Sequence, residues 1–353
     1  MYDDPAKTDL RTASRLSVAP MMDWTDRHCR FFHRQLTRHA LLYTEMVAAA
    51  ALVRGGARHL LAHDPREHPL AVQLGGADPG ELAQAARICA EEGYREVNLN
   101  IGCPSDRVQS GCFGAVLMTR PALVAECLAE MRAATRAEIT VKCRIGVDDQ
   151  DPHEVLPAFL ERVRETGVRR VIIHARKAWL QGLSPKENRE VPPLDHMLVV
   201  EMKRAFPDLH ISINGGIGSL EAAQDFLAQR LDGVMLGRAA YHTPFDVLAG
   251  ADAAIWGTDE AAPSRAEVVA CMKPYIARHL SQGGRLHAVT RHMLGLFAGR
   301  PGARAWRRVL SEGASRPGAG VDLLETALAA VDAAQPVVEP GESRAGSPNA
   351  APL

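Results

Sequence analysis

No hydrophobic run in this chain is long enough to cross a bilayer: the longest, residues 46–53, falls far short of the roughly 20 residues that a spanning helix needs. No two of its seven cysteines are spaced C-x-x-C, which argues against a zinc ribbon or finger. An odd number of cysteines behind a polar, acidic first heptapeptide, Met1-Tyr2-Asp3-Asp4-Pro5-Ala6-Lys7, points to reduced thiols. That heptapeptide has neither the basic start of a signal peptide nor the character of a transit peptide, so the expectation is a cytoplasmic protein without membrane contact. A glycine-rich G-x-G-x-x-G turn is missing after the first apolar run, where Val18-Ala19-Pro20-Met21-Met22 stands, and with it the fingerprint of a dinucleotide-binding doubly wound sheet.

What remains is a chain of 353 residues, 46% hydrophobic and 24% charged, the balance of a soluble globular protein with a sizeable core. Net charge is only −1, but it is unevenly placed. Residues 265–316 hold ten Lys and Arg against two Asp and Glu, a net of +8, whereas residues 1–264 hold 30 against 35, a net of −5. A small basic segment on a near-neutral body suggests a polyanion partner for that part; an ordinary solvated basic face is the alternative that charge alone leaves open.

The first 250 residues repeat one pattern, a short apolar run followed by a helical stretch. The runs fall at 16–19, 41–46, 70–74, 97–101, 139–143, 171–174, 210–213 and 233–236; none is read as alternating cleanly, as expected for parallel strands covered on both faces. Asp78-Pro79-Gly80-Glu81, Thr119-Arg120-Pro121 and Asp151-Pro152-His153-Glu154 read as helix starts. Eight such units predict a (β/α)₈ TIM barrel. After about residue 257 strand signals stop. The expected organisation is an N-terminal tail over 1–14, a barrel over 15–257, a basic helical domain over 258–334 and a disordered Pro/Gly/Ser/Ala tail over 335–353.

In such a barrel the active site forms at the carboxyl ends of the strands, and those ends are rich in polar residues. They bring Glu45, Gln73, Asn98-Leu99-Asn100-Ile101-Gly102-Cys103-Pro104, Lys142 and Arg144, His174 and Arg176, Asn214-Gly215-Gly216, and Gly237-Arg238. Glycine-rich turns after strands seven and eight expose backbone N–H groups where barrels place a phosphate, and Arg238 can add a charge-assisted contact. Lys142 lies inside an apolar run, where an unpaired ammonium is costly; a cation beside an anionic ring, such as a reduced flavin, resolves this. His174 beside it can donate to that ring or to phosphate, or be a satisfied core histidine. Cys103 begins a loop without partners at ligand spacing, which leaves nucleophile or general acid as its chemistry and no metal.

These residues resemble a known family. Asn98-Leu99-Asn100-Ile101-Gly102-Cys103-Pro104, with Ala19-Pro20-Met21, Lys142-Cys143-Arg144, His174-Ala175-Arg176 and Asn214-Gly215-Gly216-Ile217, is similar to the tRNA-dihydrouridine synthases. Two longer stretches, from His174 through Trp179, Lys186 and Arg189, and from His292 through Arg304 and Arg307, resemble the A subfamily, which modifies D-loop uridines 20 and 20a. The resemblance covers about residues 15 to 313 and implies an FMN-dependent barrel enzyme that reduces uridine to 5,6-dihydrouridine in tRNA, with NADPH as reductant.

It further implies that Pro20, Met21, Met22, Gln73, Lys142, His174, Asn214, Gly215, Gly216, Gly237 and Arg238 hold FMN, and that Cys103 is the proton donor. Asn100 and Arg144 would meet the substrate, and Lys186, Arg189, Arg304 and Arg307 the tRNA. A monomer is expected. One departure stands out: Gln109-Ser110-Gly111-Cys112-Phe113-Gly114-Ala115 carries Cys112 where the A subfamily usually has arginine. The chemistry is consistent with the residues, since reducing the uracil C5=C6 bond needs a hydride and a proton, and thiols ordinarily titrate above neutral pH and stay protonated. Two rivals are a small-molecule FMN barrel reductase, which leaves the +8 segment unexplained, and a non-catalytic tRNA-binding protein, against which Cys103, Lys142 and His174 argue.

Overall fold

The computed structural model describes residues 9–105 and 113–334; Cys112 and the expected tail over 335–353 lie outside the described residues. Eight parallel strands close a barrel in chain order: β1 (Leu16–Val18), β2 (Leu41–Ala48), β3 (Leu70–Gly75), β4 (Glu96–Ile101), β5 (Glu138–Arg144), β6 (Arg170–His174), β7 (His210–Asn214) and β8 (Gly233–Leu236). The last strand pairs back onto the first, Val18 beside Leu236. The expected TIM barrel is therefore present, and every expected strand lies within one or two residues of its apolar run. Crossover helices start where the caps foretell: Asp78 accepts from the Glu81 N–H at 2.7 Å at the head of helix Pro79–Glu91, and Asp151 from the His153 N–H at 2.9 Å at the head of helix Pro152–Glu165. Helix Pro121–Ala134 begins after Arg120 with no side-chain cap, its proline occupying the first turn.

The expectation that no strand alternates fails at β4. Glu96-Val97-Asn98-Leu99-Asn100-Ile101 alternates strictly, and all six residues are buried. Val97, Leu99 and Ile101 belong to the main hydrophobic core beneath the helices, while Glu96, Asn98 and Asn100 bond to Gln73 and Thr140 on the neighbouring strands and to Arg170 on β6. A separate small cluster of Ala19, Leu41, Tyr43, Ala71, Ile172 and Met235 is joined by Leu10 and Ala13 of the helical turn Leu10–Ala13. Residues 10–14, inside the expected N-terminal tail, are thus packed against the barrel, with Ser14 Oγ 3.0 Å from His210 Nε2.

Beyond the strands lie helices Ala251–Trp256, Arg265–Ser281, Leu286–Thr290, Ala303–Gly313 and Asp322–Asp332. Their apolar residues, among them Val269, Met272, Trp306 and Leu324, are continuous with the main core. Polar clamps tie them to the connection between β1 and β2. Asp26 caps helix Arg27–Arg34 and also receives Arg291 at 2.6 Å and His292 at 3.0 Å. Tyr275 stacks on Phe31 at 3.9 Å, and its hydroxyl lies 2.7 Å from His28 Nδ1.

Candidate active site at the barrel mouth

Strand register gathers most of the sequence-expected residues at the carboxyl end of the barrel. Asn100 pairs with Lys142, Arg144 with His174, His174 with Asn214 and Asn214 with Met235, each at or near a strand end. Cys103 follows β4, and its conformation is set from below. The Asn100 carboxamide oxygen accepts from the backbone N–H of Gly102 at 3.1 Å and of Cys103 at 2.9 Å. The Cys103 carbonyl accepts from the Ala115 N–H at 2.9 Å, and its Sγ lies 3.4 Å from Ser105 Oγ. The thiol is partly accessible.

Gln73 is held by Asn98 and Asn100: its Nε2 donates to Asn98 Oδ1 and its Oε1 accepts from Asn100 Nδ2, both at 2.8 Å. One N–H and one lone pair of the Gln73 amide are left for a ligand. Between Tyr43 and Met46 the β2–β3 register shifts, a bulge that brings Glu45 toward the loop after β1, where its carboxylate accepts from the Asp23 N–H at 2.5 Å. Burial raises the Glu45 carboxyl above its ordinary range. Met21 donates its N–H to Thr25 Oγ1 at 2.9 Å, Met22 is exposed, and Trp24 stacks on Tyr241 at 4.4 Å, linking the turns after β1 and β8.

Two groups at the mouth, one half-buried and one buried, have no hydrogen-bond partner among the described residues. The Lys142 ammonium makes no hydrogen bond or ion pair with any described residue, and burial, reinforced by Arg144, draws its pKa down to about 8. His174 Nδ1 is buried without a hydrogen-bond partner; burial first, then the cationic Arg144 and Lys142, push the imidazole far toward its neutral form. Beside them Asn214 donates to the Met235 carbonyl at 2.7 Å. Gly215 and Gly216 follow with φ of 114° and 72°, so a side chain there is strained by conformation, and a Cβ on Gly216 would also have to displace Leu194 Cδ1, 2.5 Å away. Gly237 opens helix Arg238–His242 with no side-chain cap. An anionic, planar group with a phosphate fits this set: an unpaired ammonium, an unpartnered imidazole nitrogen and uncapped backbone N–H groups.

Two expected contacts, Arg144 and Arg238, have other partners in the structure. Arg144 is buried and clamps three carbonyls, Gly102 at 3.1 Å, Lys177 at 2.9 Å and Asn188 at 2.8 Å, stapling the Cys103 turn to the loop after β6. Arg238 pairs with Glu190 at 2.6 Å and donates to the Arg189 carbonyl at 3.3 Å. Arg189 and Lys186 are exposed on that same loop, which Asn188 closes through bonds to Trp179 and Leu183. Arg304 and Arg307 are not at the mouth. They are exposed on helix Ala303–Gly313, which packs against helix Asp322–Asp332, and pair with no described residue. The inner residues Glu96, Asn98, Thr140 and Arg170 are not among the residues assigned a site role from the sequence; Thr140 and Arg170 come from β5 and β6.

Among the described residues no helix is long and apolar enough to cross a membrane, and no group of three His, Cys, Asp or Glu side chains could hold a metal. Comparison with known proteins decides the class. The family model of the dihydrouridine synthases (Dus) matches residues 17–334. The chain belongs to the dihydrouridine synthase family. The family is one of flavin-dependent oxidoreductases, and this chain is an enzyme of that kind. Curated relatives agree along the whole barrel and the helices after it. The tRNA-dihydrouridine(20/20a) synthase of Shewanella oneidensis is 56% identical over 315 residues, 89% of this chain and 93% of that protein. The proteins of the same name from Escherichia coli K12 and Xanthomonas axonopodis are 55% and 57% identical, covering 92% and 93% of this chain and 93% and 97% of their own lengths.

Proposed function

We propose that this chain reduces uridines 20 and 20a in the D-loop of tRNA to 5,6-dihydrouridine, with FMN as its bound flavin and NADPH as the reductant. The observation that carries this reading is the set gathered at the strand ends: the Cys103 loop thiol, a Lys142 ammonium without a partner among the described residues, and a buried His174 Nδ1 without a hydrogen bond. Close relatives that bear the same name support the tRNA substrate and the two positions. The flavin, when bound, supplies the hydride that reduces the uracil C6.

The chain's own residues then divide the work. Lys142 neutralises the anionic edge of the reduced ring, and His174 Nδ1 supplies a hydrogen bond to the same ligand. Asn214, Gly215, Gly216, Gly237 and Arg238 hold the phosphate, and Pro20, Met21, Met22 and Gln73 line the ring. Cys103 Sγ delivers the proton to C5 as general acid. Asn100 meets the uracil while holding the Cys103 turn; Arg144 holds that turn against the loop bearing Lys186 and Arg189, which contact the tRNA near the target base. A base inside an RNA stack must be extruded to reach the mouth, so grip is needed elsewhere. We assign that grip to the basic helices within 258–334, through Arg304 and Arg307, and the chemistry to the barrel over 15–257, in a cytoplasmic enzyme.

The test is the visible spectrum of the purified protein, the identity of its heat-released flavin, and mass-spectrometric mapping of dihydrouridine in tRNA from a deletion strain. A yellow protein releasing FMN, and loss of dihydrouridine at 20 and 20a, are expected. A colourless protein that cannot be reconstituted with FMN would overturn the cofactor assignment, and retained modification at both positions would overturn the substrate.

A further inference from the structure

We propose that Glu96, buried in the barrel below the site, is a positioning residue whose carboxylate orients the Cys103 turn through a one-way relay of Thr140, Asn98, Gln73 and Asn100. The proposal rests on the reading of Cys103 as the proton donor. Its geometry is an unbroken series of buried hydrogen bonds. Thr140 Oγ1 donates to Glu96 Oε1 at 2.8 Å; Asn98 Nδ2 donates to Thr140 Oγ1 at 2.8 Å; Gln73 Nε2 donates to Asn98 Oδ1 at 2.8 Å. Asn100 Nδ2 donates to Gln73 Oε1 at 2.8 Å, and the Cys103 N–H donates to Asn100 Oδ1 at 2.9 Å. Glu96, Asn98 and Thr140 are fully buried, Gln73 is 1% exposed and Asn100 8%.

The sense of this series is dictated at its two ends. At the lower end the Glu96 carboxyl is surrounded by donors: the Arg170 guanidinium reaches Oε2 directly, and Tyr43 donates at 2.6 Å to Oε1, the oxygen that Thr140 also uses. Thr140 must therefore give its single hydroxyl proton to Glu96 and accept from above. That turns the Asn98 amide N–H downward and its oxygen toward Gln73, which fixes Gln73 and then Asn100 in the same way. At the upper end Asn100 is left presenting its oxygen to two backbone N–H groups, of Gly102 and Cys103, which can only donate. A flipped Asn100 would set its NH₂ against those donors. Each amide has two orientations of equal shape, and the carboxylate removes the choice for all three at once.

The relay makes a prediction that packing alone does not. Thr140→Val keeps volume but breaks the relay at its second member without touching the Glu96–Arg170 pair; Thr140→Ser keeps the hydroxyl. In the holoenzyme, Thr140→Val is expected to change the rate of Cys103 alkylation by iodoacetamide, read by peptide mapping, and to slow reoxidation of the NADPH-reduced flavin by tRNA. Each change is expected to be about two- to tenfold, the equivalent of one net hydrogen bond. Thr140→Ser should restore both. Glu96→Gln should act in the same direction as Thr140→Val.

In a Cys103→Ala background, Thr140→Val should add no further loss of reoxidation rate. Unchanged alkylation and reoxidation in a folded Thr140→Val protein, or an equal loss in Thr140→Ser, would overturn the relay. If Cys103→Ala by itself left reoxidation by tRNA unchanged, the assignment of Cys103 would fail, while the alkylation rate would still report whether the relay orients its turn.

Discussion

The barrel mouth and the C-terminal helices use cationic side chains in opposite ways. Among the described residues of the barrel, Arg170 is buried and held by Glu96 and Glu138 and Arg144 is buried and held by three carbonyls, whereas the half-buried Lys142 has no partner where a ligand fits. In the helical region Arg285, Arg300, Arg304, Arg307, Arg308 and Arg316 are exposed and pair with no described residue. A charge partly withdrawn from water without a partner is costly and so points to a ligand, whereas exposed charges cost little and act through a screened field. The basic segment is itself divided. Arg278 and Arg291 reach Asp64 at 3.0 Å and Asp26 at 2.6 Å, tying the helices to the barrel, although Arg278 is still exposed.

The largest effect should come from the barrel side. Cys103→Ala should lower the rate of dihydrouridine formation by about 10²–10⁴-fold, the usual cost of losing a general acid, while FMN content and reduction by NADPH persist. Product formation in matched time courses checks this, and a variant as active as the wild type would erase the contrast between the two regions.

The anchor between the regions comes next. Asp26→Asn should lower stability by about 1–3 kcal/mol, because it leaves Arg291 and His292 without their charged partner. Burial pushes the Asp26 carboxyl up, but hydrogen bonds and charge from His292 and Arg291 outweigh this and hold it well below the ordinary carboxylate range. Its stabilising contribution is therefore complete above about pH 4 and is lost as pH falls toward the depressed folded value. Urea unfolding of the two proteins should show a gap at pH 7 that narrows below about pH 4; a gap independent of acid would mean that Asp26 stabilises by packing or capping alone.

On the helical side, neutralising Arg304 and Arg307 together should weaken tRNA binding and make the salt slope shallower by about 0.7–0.9 for each phosphate no longer engaged. A shallower slope accompanied by loss of flavin would blur the division of labour. The smallest effect is the pH dependence of the cofactor site. Lys142 titrates near 8 in the folded chain, so it is cationic below and neutral above that pH. Affinity of the apoprotein for FMN should fall as pH rises through about 8, and Lys142→Met should flatten that dependence. Fluorescence titration across the range reads both.

Most of the fold was legible because parallel barrel strands announce themselves as short apolar runs between capped helices. The inner column was not, and β4 shows why. Polar residues at every second position look the same whether they face water or the lumen of a barrel, and the partners that decide, Thr140, Gln73 and Arg170, come from other strands. Arg144 illustrates a second limit. Its type and position suggest a ligand contact, but its three partners are backbone carbonyls, which leave no mark in a sequence. Likewise, charge counting could not separate Arg278 and Arg291, which pair with Asp64 and Asp26, from Arg304 and Arg307, which do not.

The central claim is that the barrel performs the chemistry and the basic helices supply the grip. It is tested most directly by anaerobic single-turnover reoxidation of NADPH-reduced enzyme, followed by flavin absorbance over a range of concentrations of tRNA lacking dihydrouridine. Cys103→Ala should keep the half-saturating tRNA concentration and lower the plateau rate by about 10²–10⁴-fold. Neutralised Arg304 and Arg307 should keep the plateau and raise the half-saturating concentration. A Cys103→Ala plateau equal to that of the wild type, or an arginine variant that lowers the plateau at unchanged half-saturation, would contradict the account.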